Sequence, residues 1–133
     1  MNSLSNTFLI GTFGELFVQM RLLQYEVQAT PPLKDTGNDL IAIKGTVFKA
    51  IQVKTTEKDD KIEFNFKKLS KRKYHILALV FLDQKESDEP NAVNFDKCKI
   101  YLLKNGDVKK GTYKKDELVE FELNNTLIKS LFV

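Results

Sequence analysis

Asp39-Leu40-Ile41-Ala42-Ile43-Lys44-Gly45-Thr46-Val47-Phe48-Lys49-Ala50-Ile51-Gln52-Val53-Lys54-Thr55 is the stretch whose reading decides the fold of this 133-residue chain. An acid opens the apolar run 39–43, Lys44-Gly45-Thr46 reads as a tight turn, and Val47 to Thr55 reads as the antiparallel partner strand. Thr36-Gly37-Asn38, a cluster of turn formers, precedes the pair. The predicted unit is a β-hairpin. On its second strand Phe48, Ala50, Gln52 and Lys54 share one face, while Ile51 and Val53 point the other way into packing.

That alternation puts an amide and an ammonium on one pocket wall. Asp39, at the start of the neighbouring strand, brings a carboxylate within reach of a cation that the Gln52 carbonyl oxygen also holds. Oxygen ligation with several retained waters is what magnesium prefers. Beside such an ion Lys54, a compact cation, would hold or deprotonate an attacking water, or steady charge on a pentavalent phosphate. Taken singly, each residue also fits a plainer role: Asp39 an ordinary turn residue, Gln52 and Lys54 one polar row of a half-exposed strand.

Working outward, Thr7 to Tyr25 carries Phe13, Phe17, Met20 and Leu23 at helical spacing, and Thr30-Pro31-Pro32 cannot continue a helix. Within that predicted helix Glu15 lies in line with Gly11, Val18 and Leu22, a largely apolar flank. Two readings of it stand: a second metal-ligand or water-orienting position against the strand site, or an exposed glutamate at the margin of an amphipathic helix. Beyond the hairpin, Ile62 to Phe66 alternates like a strand, and Phe66 to Lys73 can wind into a helix leading into the most hydrophobic strand, His75 to Leu82, expected to be central. A polar loop from Asp83 to Asn94 follows. Then come a strand at Lys99 to Leu103, a turn at Lys104-Asn105-Gly106-Asp107, an edge strand around Leu118 to Leu123 and a short helix from Asn125. The order is α/β, without internal repeat or linker, and the length suits a single domain over 1–133.

Composition narrows the options. The longest apolar run, Ile76 to Leu82, is far short of the roughly 20 residues of a membrane helix, and the start of the chain lacks the basic-then-apolar order of a signal peptide. No membrane association and a cytoplasmic location are therefore expected. Cys98, the single cysteine, reads as a small core residue, and His75, the single histidine, as a satisfied strand-start residue. The net charge is +3, but its distribution says more. Positive charge gathers in Lys67 to Lys73 and Lys104 to Lys115 and negative charge in Asp83 to Asp96, predicting a basic and an acidic side. A lysine-rich stretch can be a solvated face or a phosphate-contacting one.

Together, Gly14-Glu15, then Thr36-Gly37-Asn38-Asp39-Leu40-Ile41-Ala42, then Ile51-Gln52-Val53-Lys54-Thr55 resembles the PD-(D/E)XK nuclease superfamily. The similar branch is the one where Gln replaces the middle acid, as in PD-(D/E)XK homing endonucleases encoded by group I introns. The resemblance covers roughly residues 7 to 80. It implies a restriction-endonuclease-like α/β core, a mixed β-sheet flanked by helices. It also implies that Asp39, Gln52 and Lys54 carry hydrolysis, with Glu15 supporting from the first helix and Asp39, Gln52 and Glu15 as metal ligands. The departure is Gln52, whose neutral amide is a weaker magnesium ligand than a carboxylate.

The function expected from this reading is a magnesium-dependent DNA endonuclease, with manganese as a substitute ion, that hydrolyses phosphodiester bonds in a homing or restriction-like role. The rival readings are a Holliday-junction resolvase or repair nuclease of the same fold, and a catalytically silent DNA-binding or interaction module. One site per chain and the symmetry of duplex DNA predict a homodimer or homotetramer.

Overall fold

Helix α1, Ser3–Leu23, buries the flank that carries Val18 and Leu22, both fully inaccessible, together with Phe17. Met20 and Leu23, placed by spacing on the buried stripe, are instead 48% and 60% exposed. The helix ends where Glu26 takes a left-handed φ of 64°, with the Glu26 N–H donating to Leu23 O (3.0 Å) and the Val27 N–H to Leu22 O (3.0 Å). This Schellman closure turns Val27 into the core. The computed structural model describes residues 3–33, 37, 39–89 and 92–133, with side chains from residue 9 onward. Thr36 and Asn38 of the predicted turn cluster lie outside the described residues, as does part of the predicted loop 83–94.

Strand β1, Gln28–Thr30, pairs antiparallel with β2, Leu40–Lys44. The hairpin is formed as the sequence predicts: β2 runs antiparallel to β3, Val47–Thr56, closing on Lys44 opposite Val47 across Gly45, whose φ is +61°. Next come β4, Lys61–Glu63, and α2, Phe66–Ser70, whose N-cap Asn65 accepts the Lys68 N–H on Oδ1 at 2.9 Å. The chain then enters β5, Ile76–Phe81, parallel to β3, and β6, Lys99–Lys104, antiparallel to β5. The five-stranded mixed sheet has the order β1-β2-β3-β5-β6. β5 is interior, but the middle position expected for it belongs to β3.

All of β5 is buried because each face of the sheet is covered. Ile76, Ala78 and Val80 join α1 residues and α3, Asn125–Leu131, in one core cluster. Leu77, Leu79 and Phe81 join Leu69 of α2, Tyr113 and Leu118 in the other. Tyr113 belongs to β7, Thr112–Lys114, which pairs with β4 in a second, two-stranded sheet that the sequence reading did not anticipate. The edge strand expected around Leu118 to Leu123 is instead a 3-10 segment, Lys115–Phe121. The Glu117 Oε1 accepts the Lys114 N–H at 3.0 Å, which closes a helical turn where a strand would need extended backbone. Only a single bridge between Tyr101 and Glu122 remains of the pairing.

Cys98 is buried in the core, and burial pushes its thiol up; His75 Nδ1 accepts the Ala50 N–H at 2.9 Å. Among the described residues no helix is long and apolar enough to cross a membrane.

Candidate active site

The cleft of interest exists because β2 stops early. Its pairing with β3 ends at Leu40 opposite Ile51, so beyond that point, among the described residues, no strand covers the β2 side of β3. Asp39 stands at the break, one residue ahead of β2, and completes the ladder with its side chain. Its backbone N–H donates to Ile51 O at 3.1 Å, and its Oδ2 accepts the Val53 N–H at 2.8 Å. A carboxylate held by a strand amide is fixed in place by a charge-assisted bond.

Gln52 and Lys54 stand on the opposite face of β3 from Ile51 and Val53, in register with Leu77 and Leu79 of β5. The parity predicted from the sequence therefore describes this strand. Gln52 is 3% exposed, the one polar side chain in the buried class among the described residues. Its amide Nε2 donates to the Gly37 carbonyl oxygen, which accepts only, so the orientation of the amide follows from its partner. Lys54 is half-buried.

Glu15 comes from the other layer. Helix α1 crosses β3 at Gly14, where an added Cβ would fall 1.8 Å from Thr55 Oγ1 and 2.8 Å from Thr55 Cβ. Only glycine permits that approach, and it delivers the next residue, Glu15, over the open edge of β3. Of the two sequence readings, the exposed-margin one does not describe this position: Glu15 is half-buried and lines the same cleft as Asp39, Gln52 and Lys54. Partial burial, and then the negative charge of Asp39, hold its carboxyl above the ordinary range.

That shift has a sign. A carboxyl whose folded pKa is raised contributes stability below its ordinary pKa and loses it as pH rises through the folded value. Glu15→Gln is therefore expected to melt at a higher temperature than the parent at pH 7, with the gain disappearing toward about pH 4. Paired thermal melts at the two pH values check this; equal melting temperatures at pH 7 would contradict it.

All four residues singled out from the sequence thus converge on one cleft of about 560 Å³. Lys58, Glu57 and Arg72 also line it. In the sequence Arg72 reads only as one member of a basic run. Its distinguishing signal was its type: it is one of two arginines in a lysine-rich chain, and its guanidinium Nη1 donates to the same Gly37 carbonyl as Gln52. The remaining lysines of 67–73 do not line the cleft.

Among the described residues no three His, Cys, Asp or Glu side chains cluster as a metal cage. The donor set singled out from the sequence is two carboxylates and one amide, with a third carboxylate, Glu57, on the same lining. It fits a hard, oxygen-loving divalent cation that retains water, and does not fit a soft or nitrogen-seeking metal.

No protein-family model and no curated protein matches this sequence. Among solved structures the chain is similar to a bacterial homing endonuclease, I-Ssp6803I, with a TM-score of 0.66, over 98% of this chain and 93% of that one, at 15% identity. The two share a fold, which in this chain is a five-stranded mixed sheet flanked by helices.

Proposed function

We propose that residues 1–133 act as one PD-(D/E)XK nuclease-like domain, a divalent-metal-dependent DNA endonuclease with magnesium as its ion. One observation carries the reading: Glu15, Asp39, Gln52 and Lys54, from a helix, a strand entry and a strand, line one cleft at the open edge of β3. The shared fold with a homing endonuclease supports it.

In this reading Asp39, Glu15 and the Gln52 carbonyl oxygen hold the cation. The ion would neutralise phosphate charge and increase the acidity of water. Lys54 orients the nucleophilic water and compensates charge on the phosphate as the scissile bond lengthens. Lys58, exposed at the cleft margin, contacts the DNA backbone without reading its sequence. Two copies of the chain serve the two strands of a duplex, which favours a homodimer or homotetramer.

Purified protein is expected to nick and then linearise supercoiled DNA with magnesium or manganese, and to leave it intact with a chelator. Branched and linear duplexes compared side by side separate a resolvase from a duplex cutter. Magnesium should also raise the melting temperature of the parent more than that of Glu15→Gln. No metal-dependent melting shift and no cleavage of any substrate would favour the silent binding module, the alternative that the neutral amide of Gln52 invites.

A further inference from the structure

The Gly37 carbonyl oxygen accepts from two side chains that are distant in sequence, the Gln52 amide Nε2 and the Arg72 guanidinium Nη1. Gly37 itself has a φ of +83°, a conformation that disfavours any other residue, and a Cβ there would lie 3.1 Å from Arg72 Nη1. Two residues on, Asp39 is tied to β3 through Ile51 O and the Val53 N–H. Arg72 is aimed by the end of α2, where its backbone N–H donates to Leu69 O at 2.9 Å.

We propose that Gln52 and Arg72 are positioning residues that hold the backbone at Gly37, and through it the Asp39 carboxylate, by sharing one acceptor, and that this is why a neutral amide stands at 52. A carbonyl can only accept, and an ionised carboxylate has no proton to give. A glutamate at 52 would set oxygen against oxygen in a buried place. An amide closes the contact with its nitrogen and turns its oxygen away from Gly37. The amide therefore serves the loop as well as the cation, and is more than a weakened acid. Its consequence for cleavage rests on the nuclease reading above; the contact itself does not.

The test measures amide hydrogen exchange in the full chain and in Arg72→Met, Arg72→Lys and Gln52→Glu, with cleavage against magnesium concentration run in parallel. Arg72→Met and Gln52→Glu are each expected to speed exchange of the Val53 and Asp39 amides by about three- to tenfold, the weight of one hydrogen bond. Exchange at Leu79, deep in β5, stays unchanged. Arg72→Lys, which retains a donor, recovers part of the protection. Because Arg72 is exposed, its variants carry the exchange test even if Gln52→Glu fails to fold. Unchanged Val53 exchange in the folded variants overturns the proposal. So does a Gln52→Glu protein that cleaves at lower magnesium than the parent, the result expected if residue 52 were a ligand alone. A parent protein that cuts no DNA at all would defeat the nuclease reading while the exchange data still decide the clamp.

Discussion

Lys54→Ala is expected to lower DNA cleavage by roughly a thousandfold, the usual scale for losing a group that moves a proton or stabilises transition-state charge. Folding should survive. Lys54 is half-buried on a strand whose pairing to β5 is made by backbone, and among the described residues its side chain forms no ion pair. The melting temperature and DNA affinity of the variant should therefore stay near those of the parent. Lys54→Arg is not expected to restore the rate, because a planar fork places its charge farther from the strand and has no compact ammonium to offer. A Lys54→Ala protein that cleaves at the parental rate would remove this residue from the chemistry.

Gly14→Ala has the second large effect, and it acts through distance. Alanine in place of glycine inside a helix ordinarily stabilises by about 1 kcal/mol. At Gly14 that gain is outweighed, because the new methyl would lie 1.8 Å from Thr55 Oγ1, and overpacking of this kind costs about 1–3 kcal/mol or more. Helix α1 must move off β3, carrying Glu15 out of the cleft, so loss of both stability and cleavage is expected. Gly11 provides the control. A Cβ there meets nothing within 4 Å, so Gly11→Ala should stabilise. Adding Thr55→Ala to Gly14→Ala relieves the contact with Oγ1 but leaves the 2.8 Å approach of the two Cβ atoms, so rescue should be partial. Denaturant melts of the four proteins decide this. A Gly14→Ala variant as stable as Gly11→Ala would contradict the close crossing.

Much of this was legible in the sequence because the signals were local. The hairpin is announced by Gly45 between two apolar runs, and the side-chain period of 2 alone places Gln52 with Lys54 on one face. Glu15 was visible as a carboxylate on an apolar flank, although periodicity alone left two readings of it open. What could not be read is what distance creates. β1 and β7 are three residues each, too short for a period to register. β7 also sits in a lysine-rich stretch whose charge masked Tyr113, the residue that packs it inward beside Phe64 at 6.3 Å between ring centroids. The apolar spacing of Leu118 to Leu123 suited a strand until Glu117 bonded back to Lys114. Met20 and Leu23 show the limit of a helical stripe with too many apolar residues: spacing offers several flanks, and the sheet chooses one. The Arg72 contact with Gly37 spans 35 residues, and no local pattern could predict it.

An uncovered strand edge is normally a hazard that invites other chains to pair with it. Here β3 runs five residues beyond its last pair with β2, from Gln52 to Thr56. Had β2 continued two pairs past Leu40 and Ile51, until a residue stood opposite Val53, backbone would take the place of the Asp39 carboxylate at the Val53 amide. The sheet would be more complete, and the cleft would be gone. The opening thus belongs to the architecture as much as to the residues that line it, and a redesign that extended β2 to stabilise this protein would close the proposed site without changing the identity of any of the four residues.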